Sequence, residues 1–181
     1  MIKGDHFSNV EQVLLPFGFS AIESSEEVST WDEVCARVRS QHCPWRISRK
    51  VLMRCKGWTV VLDLEAVMWT NTAACERVSQ LLGGPIFAMV CGGVAGSNAF
   101  RYFDHQLVRG VWYDSDSGFL ENKGRRLPEE RGLHTEKMLT QSDVLRVLKR
   151  LGVDYSAFST LRNFQIHDLI FSAQTDALPR A

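Results

Sequence analysis

Residues 85–130 read PIFAMVCGGVAGSNAFRYFDHQLVRGVWYDSDSGFLENKGRRLPEE, and this stretch decides the fold class. The pieces PIFAMVC, AFRYF, LVRGVWY and GFLEN are short runs rich in aliphatic and aromatic residues, separated by Gly, Asn, Asp and Ser. Such runs between turn residues predict an antiparallel meander. The apolar run from Pro85 to Cys91 reads as a central strand bracketed by the others. Turns are expected from Gly92 to Asn98, Asp104 to Gln106 and Asp114 to Gly118.

Upstream, from Ile47, the apolar period is two. Val51, Met53 and Cys55 share one face, Lys50 and Arg54 the other, and Lys56-Gly57 turns the chain. Trp58, Val60, Leu62 and Leu64 then alternate against Thr59 and Asp63 in a return strand. The polar faces of this hairpin imply that one side of the sheet meets water there.

Helical spacing brackets these strands. Ser8 and Glu11 form a capping-box pair ahead of Val10, Val13, Leu14 and Phe17, with Gly18 as terminator. Thr30 and Glu33 do the same ahead of Trp31, Val34, Cys35 and Val38, and the acidic Ser24 to Glu27 stretch between these helices reads as loop. A third helix is expected from about Thr72 to Leu82, ended by Gly83-Gly84-Pro85. A fourth runs from Ser142 to Leu151, its cations near the C-terminal end opposing the helix dipole. The segment from Phe158 to Ala173 reads equally as strand or short helix. The whole predicts one α+β domain, residues 1–181: an antiparallel sheet of five or six strands with helices packed mainly on one face.

The chain of 181 residues, 45% apolar and 23% charged, is long enough to bury a core and is not compositionally disordered. Its 21 basic residues balance 21 acidic ones, so no global field attracts nucleic acid or an anionic membrane. Cys35, Cys43, Cys55, Cys75 and Cys91 are odd in number and sit in expected helices and strands, where free Cys behaves as a small hydrophobe. No apolar run approaches the ~20 residues of a membrane helix, and the N-terminus lacks a signal-peptide core. A cytoplasmic location is expected.

No motif in the sequence specifies a reaction. Gly92-Gly93-Val94-Ala95-Gly96-Ser97 follows a strand but lacks the Gly-Lys-Ser/Thr ending of a phosphate loop and leads into another strand. Asp114-Ser115-Asp116-Ser117-Gly118 begins like a calcium loop, but Gly118 and Arg125 fall where ligands are needed, so an Asx-rich turn is expected. His42-Cys43 has no partner pair at zinc spacing. No catalytic residue, cofactor or metal is therefore expected. Asp63-Leu64-Glu65, at the end of an apolar strand, is the carboxylate pair most worth following.

Aromatic residues carry more signal. Trp45, Trp69, Tyr102, Trp112 and Tyr113 exceed what one buried sheet face requires, and Trp112 and Tyr113 must point to opposite faces. With Arg101 and Arg109 they compose a candidate binding surface, rimmed by Asp114 and Asp116.

The order of strand, turn, strand, Gly-Phe-Leu-Glu-Asn and Arg-Leu-Pro-Glu-Glu from Tyr102 to Glu130 resembles small uncharacterised bacterial α+β proteins, some of which look like immunity proteins of polymorphic toxin systems. That resemblance covers about a quarter of the chain and implies a cytoplasmic protein that binds another protein. The expected function is non-enzymatic protein binding, with a protein partner or a second copy of the chain. The alternatives are a small-molecule binder or hydrolase whose carboxylate or Cys-His site is assembled only by folding, and a self-associating structural protein.

Overall fold

The computed structural model describes residues 1–40, 47–63, 65, 68–91, 96–133 and 137–172. Nine strands among them form one antiparallel sheet: β1 (Ile2–Lys3), β2 (Phe19–Val28), β3 (Ile47–Cys55), β4 (Trp58–Asp63), β5 (Ile86–Val90), β6 (Asn98–Asp104), β7 (Gln106–Asp114), β8 (Gly118–Gly124) and β9 (Phe164–Phe171). Their order across the sheet is β2-β9-β3-β4-β1-β5-β6-β7-β8. Helices α1 (Val10–Leu14), α2 (Trp31–Ser40), α3 (Thr72–Leu82) and α4 (Gln141–Arg150) lie between the strands in sequence. No helix among the described residues is long and apolar enough to cross a membrane.

The meander and the hairpin form as the sequence implies. β5 to β8 pair consecutively, and β3 pairs β4 from Lys50↔Asp63 to Cys55↔Trp58. Lys56 and Gly57 both take positive φ, 47° and 78°, the geometry a two-residue turn between twisted strands requires. The Thr30–Glu33 capping box forms: Glu33 accepts from the Ser29 and Thr30 amides while its own N–H donates to Thr30 Oγ1. Gly83 closes α3 in the left-handed conformation.

The sheet is larger than the five or six strands expected, for three reasons. Ser24 to Glu27 is not loop but part of β2, an edge strand with mostly exposed side chains, so no apolar alternation marks it. The ambiguous C-terminal segment supplies β9, which inserts between β2 and β3. β1 is two residues long, too short to leave a period.

The buried residues fall into two clusters. Val51 and Met53 join one, with Val34 of α2 and Val144, Val147 and Leu148 of α4. Leu52, between them, joins the other, with Val13 and Leu14 of α1 and Cys75 and Val78 of α3. Alternate strand residues point to opposite faces, so a buried cluster lies on each side of the strands. Lys50, expected on a wetted face, is fully buried for this reason.

Candidate functional site

The feature that sets this sheet apart lies at β1. That strand is antiparallel to both β4 and β5, so β4 and β5 are parallel to each other and held one strand apart. Two spacings of ~4.8 Å put them roughly 10 Å from each other, too far to pair directly. β1 pairs with Trp58 and Thr59 on one side and Ile86 on the other, and Met1 bonds to Phe87 through both backbone groups. β4 continues to Asp63 and β5 to Val90, past the end of their shared neighbour.

A cavity of about 520 Å³ occupies the gap. Its walls are the β4 run Val60 to Asp63 and the β5 run Ile86 to Val90, continuing to Cys91. Leu145, Leu148 and Phe158 of one buried cluster and Phe17, Met68 and Cys75 of the other also contribute to its lining. Its lining thus draws on both buried clusters. Its size is that of a small-ligand site, and its lining is mainly apolar.

Polar groups border it at both ends. At the closed end the Met1 amine donates to Phe87 O at 2.7 Å. Burial lowers that amine from 8.0 to about 6. At the other end stands Asp63, beside the buried Lys50. The Lys50 ammonium donates to Asp63 Oδ1 and Ser48 Oγ, each at 2.5 Å, and to Glu65 Oε2. Its three donors therefore meet three acceptors. Asp63 Oδ2 accepts the Met68 amide at 2.6 Å, and Glu65 also accepts the Ser48 hydroxyl at 3.0 Å. Burial pushes the Glu65 carboxyl up, but the hydrogen bond and charge of Lys50, with Ser48, outweigh it and hold it below its ordinary value. The Asp63–Glu65 pair is thus real, but it serves the lysine. Leu64, between them, lies outside the described residues.

Two thiols reach the cavity wall. Burial pushes Cys75 up to about 11 and Cys91 up to about 12, so both are neutral and weakly nucleophilic near pH 7. Cys75 donates to Met68 O at 3.8 Å. Among the described residues, no three His, Cys, Asp or Glu side chains are grouped so as to hold a metal ion.

The residues singled out on the aromatic strands are placed as follows. Arg109 is buried, bonding Glu130 through Nε at 2.9 Å and Nη2 at 3.1 Å, and Asn122 and the Lys123 carbonyl through Nη1. Arg101 is half-buried, gripping Glu121 and the carbonyls of Trp69 and Thr70. Trp112 stands edge-on to Trp69 with centroids 5.3 Å apart, and Tyr113 edge-on to Phe119 at 5.1 Å. Both are half-buried. Asp114 caps its own turn, accepting the amides of Asp116 and Ser117 and the Ser97 hydroxyl. Those bonds, Ser97 foremost, hold its carboxyl below the usual range. Asp116 is exposed at the turn. Arg101 and Arg109 are therefore held by partners within the chain, and the two aromatics each pack on a neighbour. Trp45, His42, Cys43 and His134 lie outside the described residues, as do Gly92 to Ala95.

No family model matches this chain. No curated protein matches it, and neither does any solved structure.

The cavity itself escaped the sequence reading. Its walls come from two strands that are remote in sequence, and the two-residue strand between them leaves no pattern to read. A partial signal was present in the runs Val60 to Leu62 and Ile86 to Val90, which are apolar on consecutive residues as strands covered on both faces must be.

Proposed function

We propose that the protein works by binding a partner's apolar segment, and that the binding site is the cavity between β4 and β5. The observation that carries this reading is the cavity of about 520 Å³ itself, apolar along its walls and bordered by β4 and β5. An isolated interior void of that size would leave its lining without packing partners, which is costly in a folded core. Catalysis has less support at this site. The Lys50 ammonium, Asp63 and Glu65 satisfy one another, and the Cys75 and Cys91 thiols are held neutral.

A binding role accords with the resemblance of Tyr102 to Glu130 to small uncharacterised bacterial α+β proteins, some of which look like immunity proteins, and the free thiols of Cys35, Cys55, Cys75 and Cys91 support a reducing, intracellular setting. We place the contact at the cavity rather than on the aromatic strands because Arg109, buried against Glu130, offers a partner nothing to reach there. Titration with the neutral apolar dye N-phenylnaphthylamine tests the reading. One dye per chain should bind with rising fluorescence, and Ala88→Phe, which adds a ring at the cavity wall, should weaken it at least tenfold without loss of fold. Absence of saturable binding by the parent chain would remove the cavity as a site.

A further inference from the structure

Two residues of β9 each carry a buried polar atom that no group among the described residues satisfies. His167 is 4% exposed, and its Nε2 has no hydrogen-bond partner. Gln165 Oε1 is the other such atom. Folded proteins leave few buried polar groups unsatisfied, so a neighbouring pair calls for an explanation beyond packing. The far ends of both side chains are engaged. His167 Nδ1 lies 2.8 Å from Oγ of Ser25, the residue directly opposite on β2. Gln165 Nε2 donates to Glu27 Oε1 at 3.5 Å, which leaves the amide oxygen as the free end. Residues i and i+2 of a strand share a face, so Ser25, Glu27, Gln165 and His167 form one group. Ser25 is exposed where its partner is buried. None of the four lines the cavity between β4 and β5.

We propose that Ser25 is the nucleophile of a second site, with His167 as its general base and Gln165 positioning that base, and that the substrate is a small uncharged ester with a good leaving group. The roles follow from the bonds. With the Ser25 O–H donating to Nδ1, the neutral imidazole carries its one proton on Nε2. Gln165 Oε1 is an acceptor on the same face, about 7 Å along the strand, a span that one bridging water closes. Nucleophile, base and orienting acceptor in that order are what activates a hydroxyl. Burial lowers His167 from 6.5, with Asp168 opposing only in part, so the imidazole is a free base at pH 7. The charged groups around it are the buried Lys50 opposite on β3, Glu27 on β2 and Asp168 beside it on β9.

The backbone supplies the remaining donor. The Asn163 amide donates to Ser29 O, and Val28 pairs with Phe164, so Ser29 and Asn163 are a hydrogen-bonded pair of the ladder. Alternation by two turns the backbone groups of Glu27 and Ser25 toward β9 and those of Glu26 toward the outer side of β2, the last strand in the sheet order. The Glu26 amide, next in sequence after the nucleophile, is the donor for a carbonyl oxygen as it gains charge. Its side chain points to the opposite face, where it pairs with Arg37.

In the reaction the Ser25 hydroxyl proton passes to His167 Nδ1 as Oγ bonds to the acyl carbon. The bond from that carbon to the alcohol oxygen breaks, and the alcohol leaves with the proton. Water then attacks the acyl-Ser25 ester by the same route, releasing the acid and restoring the hydroxyl. Burial and the neighbouring Lys50 disfavour the imidazolium formed on the way, so the ester must be an activated one. The Glu27 carboxylate disfavours anionic esters.

The test treats the 181-residue chain with a fluorophosphonate, locating the adduct by peptide mass spectrometry, and follows p-nitrophenyl acetate by release of p-nitrophenolate. One adduct per chain should form on Ser25, and the ester rate should rise with pH to a plateau by about pH 7, where the base is neutral. Ser25→Ala, at an exposed position, should abolish both. His167→Gln should slow both at least about a hundredfold in a chain that melts as a folded protein. Gln165→Glu sets a negative charge against Nε2–H and should move the midpoint of the pH profile upward, which a purely structural residue would not do. An adduct on another residue, or an unchanged Ser25→Ala variant, would overturn the nucleophile. A parent rate that climbs with hydroxide and shows no plateau would overturn the base even where His167→Gln fails to fold. An unmoved midpoint in Gln165→Glu would overturn the positioning role. No reaction with either reagent would overturn the site, whatever the dye shows at the cavity.

Discussion

Glu130→Gln is the sharpest probe of how this sheet is held together. Glu130 and Arg109 are both buried, with side chains 0% and 3% exposed. Glu130 Oε1 accepts Arg109 Nε and the Leu127 amide, each at 2.9 Å, and Oε2 accepts Arg109 Nη2 at 3.1 Å. Glutamine keeps an acceptor for Leu127 but sets N–H donors against the guanidinium, which also donates to the neutral Asn122 side chain and Lys123 carbonyl. At an effective dielectric constant near 20, unit charges about 4 Å apart attract by roughly 4 kcal/mol. Removing one member of a buried pair typically costs about 3–5 kcal/mol, since the other charge is left unpaired. The substitution should therefore lower the urea-unfolding free energy by about 3–5 kcal/mol, read as a lower midpoint at constant slope. Adding Arg109→Met removes the stranded charge and should recover at least half of the loss. A loss below about 1 kcal/mol in the single variant, or a double variant no better than the single, would refute the buried-pair account and return Arg109 to the list of residues available to a partner.

Trp58 is buried and donates Nε1–H to Leu151 O at 3.1 Å, so Trp58→Ala should cost about 3–5 kcal/mol by thermal or urea unfolding. A wild-type melting temperature in that variant would reverse the face assignment of β4. Stability should also fall as pH drops from 8 to 6. The Met1 amine has a folded value of about 6 against 8.0, so its contribution is present above pH 8 and is lost as pH falls toward 6, about 2–3 kcal/mol in all. His167, lowered by burial and only partly offset by Asp168, acts in the same direction below its unfolded value near 6.5. Chemical denaturation at pH 8, 7 and 6 checks this, and a flat or rising profile toward pH 6 would contradict it.

Local patterns predicted the elements whose partners are adjacent in sequence. The β3–β4 hairpin, the β5–β8 meander, the Thr30–Glu33 box and the Gly83 terminator all depend on residues within a few positions of one another. What was illegible depends on pairings across the chain. Ser24 in β2 meets Asp168 in β9 over a separation of 144 residues, and its strand is too exposed to show a period. Lys50 alternates like a surface residue, yet folding sets it against Asp63 and Glu65 and buries it. Arg49 is likewise hidden by Asp168, and the pair holds that carboxyl below its usual range through the Arg49 hydrogen bond. Carboxylates at 63 and 65 could be flagged from sequence. The cavity beside them could not, because its walls, β4 and β5, come together only through long-range pairing with β1.

The position of β9 has a consequence for how the molecule is made. It wedges between β2 and β3, so one wing of the sheet waits for residues 164–171 before any of its inner edges is joined. Translation at about 5–20 residues per second delivers those residues on the order of 5–20 s after the β3–β4 hairpin leaves the synthetic site. During that interval the hairpin can close and the meander can assemble, while β2 and the outer edge of β3 remain open to other chains. The exposed glutamates Glu23 and Glu27 lie along or beside that waiting edge and give it a negative charge, Glu26 being paired with Arg37. Nascent copies on one messenger would repel one another at the strand they are least able to protect.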